Sequence, residues 1–158
     1  MKTLLAVSGS NRSSSKNSQI LRHIKEEYAG VTQVEIFDAI DGLPHFNPDI
    51  EFAPNDALFK WRKALIQADA ILISTPEYAH GIPGSLKNAL DWIVGSGELM
   101  DKKVGLIFSS SSEAMFVQAQ LLEVLKTMSA RVSTEWSFKT SGVEVTPEVK
   151  NIIEKLLI

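Results

Sequence analysis

From Ser8 to Ser18 the chain reads Ser-Gly-Ser-Asn-Arg-Ser-Ser-Ser-Lys-Asn-Ser. An apolar run, Thr3–Ser8, precedes it, and apolar residues at helical spacing follow it. A strand that turns into a helix through such a loop presents free backbone N–H groups and a partial positive charge at the helix start. That end suits a phosphate. The hydroxyls of Ser10, Ser13, Ser14, Ser15 and Ser18 and the amide of Asn17 can donate to phosphate oxygens, and Arg12 adds a charged fork. Two better-known phosphate loops are absent. There is no Gly-x-x-x-x-Gly-Lys-Ser/Thr, and the three-glycine dinucleotide fingerprint is reduced to Gly9. A hydroxyl-rich loop without those glycines suits a compact terminal phosphomonoester. Read without a ligand, the same loop is a solvated turn with Asn17 or Ser18 as helix cap.

A second loop, Thr75-Pro76-Glu77-Tyr78-Ala79-His80-Gly81-Ile82-Pro83-Gly84, carries two prolines and two glycines in ten residues and is therefore rigidly shaped. Its backbone N–H groups from Glu77 to Gly81 can face a flat heterocycle, with Tyr78 offering a ring and a hydroxyl. Beside a phosphate site, such a cradle suits a mononucleotide. Without a ligand it is a stiff turn with Tyr78 on the surface.

Other chemistry is poorly supplied. The chain has no cysteine, which excludes disulfides, thiolate nucleophiles and Cys-based zinc or iron–sulfur sites. His23, His45 and His80 form no His-x-x-x-His pair, so no metal site is expected. The segment Gly95-Ser96-Gly97 is too short for a nucleophile elbow and follows a helix pattern. Sixteen basic and nineteen acidic residues give a net charge of −3, without the basic excess of a nucleic-acid binder. No apolar run is long enough to span a membrane, and the N-terminal run is too short for a signal peptide. These features describe a soluble, cytoplasmic protein folded as one domain over residues 1–158.

The elements that must hold the two loops alternate in type. Strands are expected over Thr3–Ser8, Thr32–Phe37, Ala68–Ser74, Lys103–Phe108 and Val132–Phe138. Helical spacing marks Ile20–Tyr28, Leu58–Leu65, Gly84–Ile93, Val117–Met128 and Thr146–Leu157. Such alternation means βαβ units and a parallel sheet with helices on both faces. The flavodoxin-like order 2-1-3-4-5 and a Rossmann-type order both fit. In either, ligands bind beyond the carboxyl ends of the strands where the order reverses. Trp61 is expected in the core, Trp92 in the core or at a contact with a second chain, and Asp38 in a loop.

Gly9-Ser10-Asn11-Arg12-Ser13-Ser14-Ser15-Lys16-Asn17 resembles the G-S-x-R-x-x-S-x-N loop of the NADPH-dependent FMN reductase family. Thr75-Pro76-Glu77-Tyr78, followed by Ile82-Pro83-Gly84-Ser85-Leu86-Lys87-Asn88-Ala89-Leu90-Asp91-Trp92, is similar to that family's T-P-E-Y-N-x-x-x-P-G-x-L-K-N-A-I-D-W motif. Leu43-Pro44-His45-Phe46-Asn47-Pro48-Asp49 is similar to its L-P-x-F-N-x-D segment. The likeness runs from about Lys2 to Ala130. It implies a flavodoxin-like three-layer sandwich with the order 2-1-3-4-5, bound FMN, and NADPH or NADH as co-substrate. By position, Ser10, Arg12, Ser15, Asn17 and Ser18 would hold the phosphate and ribityl chain. Pro76, Glu77, Tyr78, Ala79, His80 and Gly81 would line the isoalloxazine, and Ser109 and Ser110 would approach it from the fourth strand. The chain departs from the family in having Ala79-His80 after the tyrosine. It departs again in having Ser109-Ser110-Ser111-Ser112-Glu113 where a glycine-rich turn is usual.

The activity implied is hydride transfer from reduced nicotinamide through FMN to a quinone, azo compound, free flavin or similar acceptor. The cofactor supplies that chemistry, so no catalytic side chain is named. The resemblance also implies a homodimer or homotetramer. Two rivals share the fold: a flavodoxin-type electron carrier, and a flavin-free relative that binds other proteins.

Overall fold

The computed structural model describes every residue except Phe52, Ser110 and Ser111. Five parallel strands, β1 (Thr3–Ser8), β2 (Gln33–Phe37), β3 (Ala70–Thr75), β4 (Lys103–Ser109) and β5 (Ser137–Thr140), form one sheet in the order β2-β1-β3-β4-β5. The order reverses between β1 and β3. Five helices connect and close the sheet: α1 (Lys16–Glu27), α2 (Asp56–Gln67), α3 (Gly84–Asp91), α4 (Met115–Thr127) and α5 (Pro147–Leu157).

Alternation within β1 assigns the two faces. Leu4 and Ala6 pack with Ile20, Leu21 and Ile24 of α1 and with Val149, Ile152, Ile153 and Leu156 of α5. Leu5 and Val7 face the opposite layer, where Leu58, Trp61 and Leu65 of α2, Leu86 and Leu90 of α3, and Leu121 and Leu125 of α4 gather. Because β1, β3 and β4 are covered on both faces, they read in the sequence as continuous apolar runs. Among the described residues, no helix is long and apolar enough to cross a membrane.

Three expectations shift. Helix α1 starts at Lys16, not near Ile20, because Ser15 caps it, its side chain accepting from Ser18 N–H at 3.0 Å. Neither Asn17 nor Ser18 is the cap. The fifth strand is Ser137–Thr140 rather than Val132–Phe138. There, Ser133 Oγ accepts from Glu135 N–H and starts a tight turn over Thr134–Trp136, which delays the pairing with β4. Trp92 is fully buried; its indole N–H donates to Pro44 C=O at 2.7 Å and its ring meets Phe46 edge-on. Asn88 ties down the same segment, accepting from Phe46 N–H and donating to Pro44 C=O. The long connection from β2 to α2 is thus pinned by the end of α3.

Candidate functional site

The carboxyl ends of β1, β3 and β4 lie in register. Ser8 is level with Ser74, and Thr75 with Phe108. The loops that leave them therefore meet at one edge of the sheet. Gly9 permits the closest approach: a Cβ there would sit 2.3 Å from Thr75 Oγ1 and 2.6 Å from Thr75 Cβ. Its N–H donates to Ser74 C=O at 2.7 Å, which fastens the first loop to β3.

A cleft of about 610 Å³ opens over this edge. Of the expected residues, Ser10, Arg12, Ser15, Asn17, Pro76, Tyr78 and Ser109 line it. Ser14, Lys16 and Gln19 also line it, as does the turn Gly142-Val143-Glu144 after β5. That turn was not anticipated from the sequence. The strand-order rule directs attention to the loops nearest the reversal, and the signal available was the Ser141-Gly142 turn after the last strand. Lys16 Nζ donates to Ser141 C=O at 2.6 Å, and His23 Nδ1 lies 2.8 Å from Val143 C=O, so α1 straps this turn over the cleft.

Several donors around the cleft have no protein partner among the described residues. Ser109 Oγ is buried and has no hydrogen-bond partner among the described residues. The backbone N–H groups of Ser14, Lys16 and Asn17 in its lining, and of Asn11 and Ser13 in the same loop, also lack protein partners among the described residues. They surround the start of a twelve-residue helix, with two cationic side chains, Arg12 and Lys16, alongside. A phosphate fits this donor set.

Several expected residues are placed otherwise. Ser18 Oγ turns inward to Ser8 Oγ and Ser15 Oγ, each at 2.9 Å, and lies behind the loop rather than in the cleft. The Asn17 amide is already engaged. Its Oδ1 accepts from Ser74 Oγ (2.9 Å) and Ser109 N–H (3.2 Å), and its Nδ2 donates to Ser109 C=O (3.2 Å). Ser110 lies outside the described residues.

Glu77, Ala79, His80 and Gly81 are not among the residues that line the cleft. Helix α4 begins after Ala114, which has no capping side chain and a φ of 55°. Glu77 fills that role from the neighbouring loop. Its carboxylate accepts from Ser112 Oγ (2.7 Å), Val117 N–H (3.0 Å) and Phe116 N–H (3.1 Å), and His80 Nδ1 is 3.8 Å away. The Ser112 hydroxyl first, then the two backbone donors and the His80 charge, hold this carboxyl below its ordinary value. A depressed carboxylate stabilises the fold at pH values above the unfolded pKa, and that contribution is lost as pH falls through the folded pKa. Glu77→Gln should therefore melt below wild type at neutral pH, with the gap closing as pH falls below the ordinary value of 4.5. Paired thermal melts from pH 7 downward check this; a gap that stays constant contradicts it.

Residues 78–81 form a tight hairpin in which Tyr78 and Gly81 exchange both backbone hydrogen bonds, at 3.1 and 2.9 Å. The strain lies at Ala79 (φ 49°) and His80 (φ 58°), as in a type I′ turn. Gly81, by contrast, has no positive φ. A Cβ at Gly81 would instead meet Gln120 Oε1 at 3.2 Å. Relieving the strain with Ala79→Gly should stabilise the protein by up to about 1 kcal/mol, since a left-handed non-glycine residue costs ~1–2 kcal/mol and glycine's chain entropy offsets part of that. Urea titration measures it; a loss of stability would mean that the turn is not strained. Around this hairpin the N–H groups of Glu77, Ala79 and His80 have no protein partner among the described residues.

A second groove of similar size, between α2 and the segment near Glu98, is mainly apolar and contains the ion pair of half-buried Arg62 with buried Glu98 at 3.5 Å. It lacks the phosphate donors and lies away from the strand reversal. Among the described residues, no three His, Asp or Glu side chains gather to hold a metal.

The family model described as NADPH-dependent FMN reductase matches residues 2–143. An NADH-dependent flavin reductase subunit 2 of Lactobacillus johnsonii is 28% identical over 129 residues, 77% of this chain and 68% of that protein. The NADH:(hydroxy)cinnamate reductase subunit CrdA of Vibrio ruber is 32% identical over 124 residues, 77% of this chain and 61% of that protein. The match to an NAD(P)H-dependent FMN reductase of Pseudomonas aeruginosa, 39% identical over 92 residues, takes in 56% of this chain and 48% of the relative. The chain thus spans about half to two thirds of the length of these three curated relatives. The solved flavoenzyme FerB, an NAD(P)H:(acceptor) oxidoreductase from Paracoccus denitrificans, superposes with a TM-score of 0.73. That match has 22% identity and covers 99% of this chain and 91% of FerB, a likeness of fold. With the cleft at the strand reversal and the family match extending from β1 beyond β5, the chain belongs to the NADPH-dependent FMN reductase family.

Proposed function

We propose that the chain binds FMN in the cleft at the strand reversal and acts as an NAD(P)H-dependent oxidoreductase toward a quinone, azo, flavin or similar small acceptor. The observation that carries this is the donor-rich start of α1, where unpartnered backbone N–H groups of Ser14, Lys16 and Asn17 lie in the lining of the cleft with Arg12 and Lys16. Ser10, Arg12, Ser15 and Lys16, with the free N–H groups of the loop, would hold the phosphate. Asn17 and Ser18 position that loop from behind. Pro76 and Tyr78 would bound the ring, and the N–H groups of Glu77, Ala79 and His80 are available to its polar edge. Bound FMN supplies hydride acceptance and donation. The protein's part is to bind, orient and limit access, so no side chain is assigned to proton transfer.

Tyr78 in the lining of the cleft is exposed, as are Met115 and Phe116 at the start of α4, and Phe116 packs on His80, from the same loop as Tyr78, with ring centroids 4.5 Å apart. Exposed apolar side chains of this kind suit contact with a second copy, and a homodimer or homotetramer is the proposed assembly. A nicotinamide reductant fits the cytoplasmic location proposed for the chain.

An absorption spectrum of the FMN-loaded protein, followed by anaerobic addition of NADH and NADPH in separate cuvettes, tests the reading. Bleaching by either is expected. A sample that stays yellow with both would leave an electron carrier in place of the reductase.

A further inference from the structure

All sixteen lysines and arginines lie among the described residues. Two of them, Arg12 and Lys16, line the main cleft, and neither is in an ion pair. Both stand at the start of α1, so a flavin phosphate held there takes their charge. Other cations on the elements around the cleft are committed. Arg22 of α1 donates to Ser13 C=O at 3.1 Å and lines a separate small pocket behind the loop. Lys139 of β5 pairs with Glu113 at 2.8 Å, and Lys87, in the first turn of α3, pairs with Asp91 at 2.6 Å.

One charged group of the lining is left over, and it is negative. Glu144 is exposed and makes no ion pair among the described residues. Its Oε2 accepts from Val143 N–H at 3.0 Å, and Lys16 and His23 tie the turn that carries it to α1. These bonds hold the carboxylate at the wall of the cleft. The family match ends at residue 143, so the shared pattern does not include this charge.

NADH and NADPH carry the same nicotinamide and differ by one phosphate on the adenosine ribose. A site gains from that phosphate where a cation meets it; in dinucleotide folds an arginine accompanies the 2′-phosphate and an acidic residue the free 2′-hydroxyl. The reducing nucleotide enters the same cleft as the flavin, because its nicotinamide must meet the ring. With the flavin phosphate bound, the lining keeps no uncommitted cation for a further phosphate, and the Glu144 carboxylate repels one. A bare ribose escapes that repulsion.

We propose that the chain selects NADH over NADPH and that Glu144 is the residue that sets the preference. The proposal rests on the flavin reductase reading, and the experiment separates the two.

The FMN-loaded protein would be reduced anaerobically by NADH and by NADPH. The tetrahydro analogue of each, which has no hydride to transfer, would be titrated against the visible flavin spectrum as a measure of binding alone. Wild type should favour the NADH form about 10-fold in both readouts. Glu144→Gln, which keeps an acceptor for Val143 N–H, should cut that ratio to about threefold or less, and Glu144→Lys should reverse it. Raising the ionic strength from about 0.02 to about 0.5 M should narrow the wild-type ratio and leave that of Glu144→Gln nearly flat, which a steric rejection of the phosphate would not do. Equal use of the two nucleotides by wild type, or a preference for NADPH, overturns the proposal and leaves the reductase reading intact. So does a preference for NADH that Glu144→Gln leaves unchanged, or a variant that weakens both nucleotides equally. If neither nucleotide bleaches the flavin, the reductase reading itself fails, and the preference falls with it.

Discussion

FMN should bind at least ~100-fold more tightly than riboflavin, because the phosphate anchors the cofactor more than the ring does. The start of α1 offers free N–H groups, and Arg12 and Lys16 stand beside them. Hydrogen bonds to a charged group contribute roughly 1.5–3 kcal/mol each. The helix end adds about 0.3–1 kcal/mol. Desolvating a dianion offsets part of this, so a net term of about 3 kcal/mol is expected, equivalent to roughly two powers of ten in affinity. Arg12→Ala should weaken FMN about 10-fold and barely change riboflavin, which lacks the group this side chain faces. The two flavins titrated against wild type and variant measure both ratios. Riboflavin binding within about threefold of FMN, or equal weakening of both by the variant, would reduce the serine loop to a capped turn.

The sequence makes the scaffold legible because its signals are local. Short apolar runs such as Ala70–Thr75, rich in β-branched residues and followed by a proline-containing loop, read as strands covered on both faces, and Ile20, Leu21 and Ile24 recur at helical spacing. The strand reversal then directs attention to the loops after β1 and β3. What the sequence conceals is the direction in which each polar side chain points, since that depends on partners distant in the chain. Ser18 and Ser15 look alike as hydroxyls in one loop, yet Ser18 turns to Ser8. Glu77 looks like part of a ring cradle, yet its carboxylate caps a helix that begins almost forty residues later. The turn strain sits at Ala79 and His80 rather than Gly81 because the backbone exchange between Tyr78 and Gly81 puts the two intervening residues in the left-handed region. The strap at residues 142–144 is hidden for the same reason, being joined to the site by Lys16 and His23 from α1.

Asn17→Ala should destabilise the flavin-free protein by about 2–4 kcal/mol, a larger effect than loss of a ligand contact would give. Composition and position suggest a phosphate donor, but the amide is buried and joins α1 to the ends of β3 and β4. Truncation removes three hydrogen bonds at once. It also leaves the Ser74 hydroxyl and both backbone groups of Ser109 short of the partner they had, and a buried polar group without a partner costs roughly 1–3 kcal/mol. Some of that cost is recovered if water enters from the cleft, which is why the sum is not simply additive. For a chain of this length 1 kcal/mol moves the melting temperature by about 2–4 °C, so a fall of roughly 5–15 °C is expected. Flavin affinity should fall as well, for FMN and riboflavin together, because Ser109 and the loop both shift when the strut is cut. Asn17→Asp separates the two roles. It keeps both acceptor positions but replaces the amide donor with a carboxylate oxygen facing Ser109 C=O, and its negative charge opposes the phosphate. FMN should therefore weaken more than riboflavin in that variant. Thermal melts of the flavin-free proteins decide the matter. An Asn17→Ala protein that melts within about 2 °C of wild type while losing only FMN affinity would make the amide a phosphate ligand and not a strut.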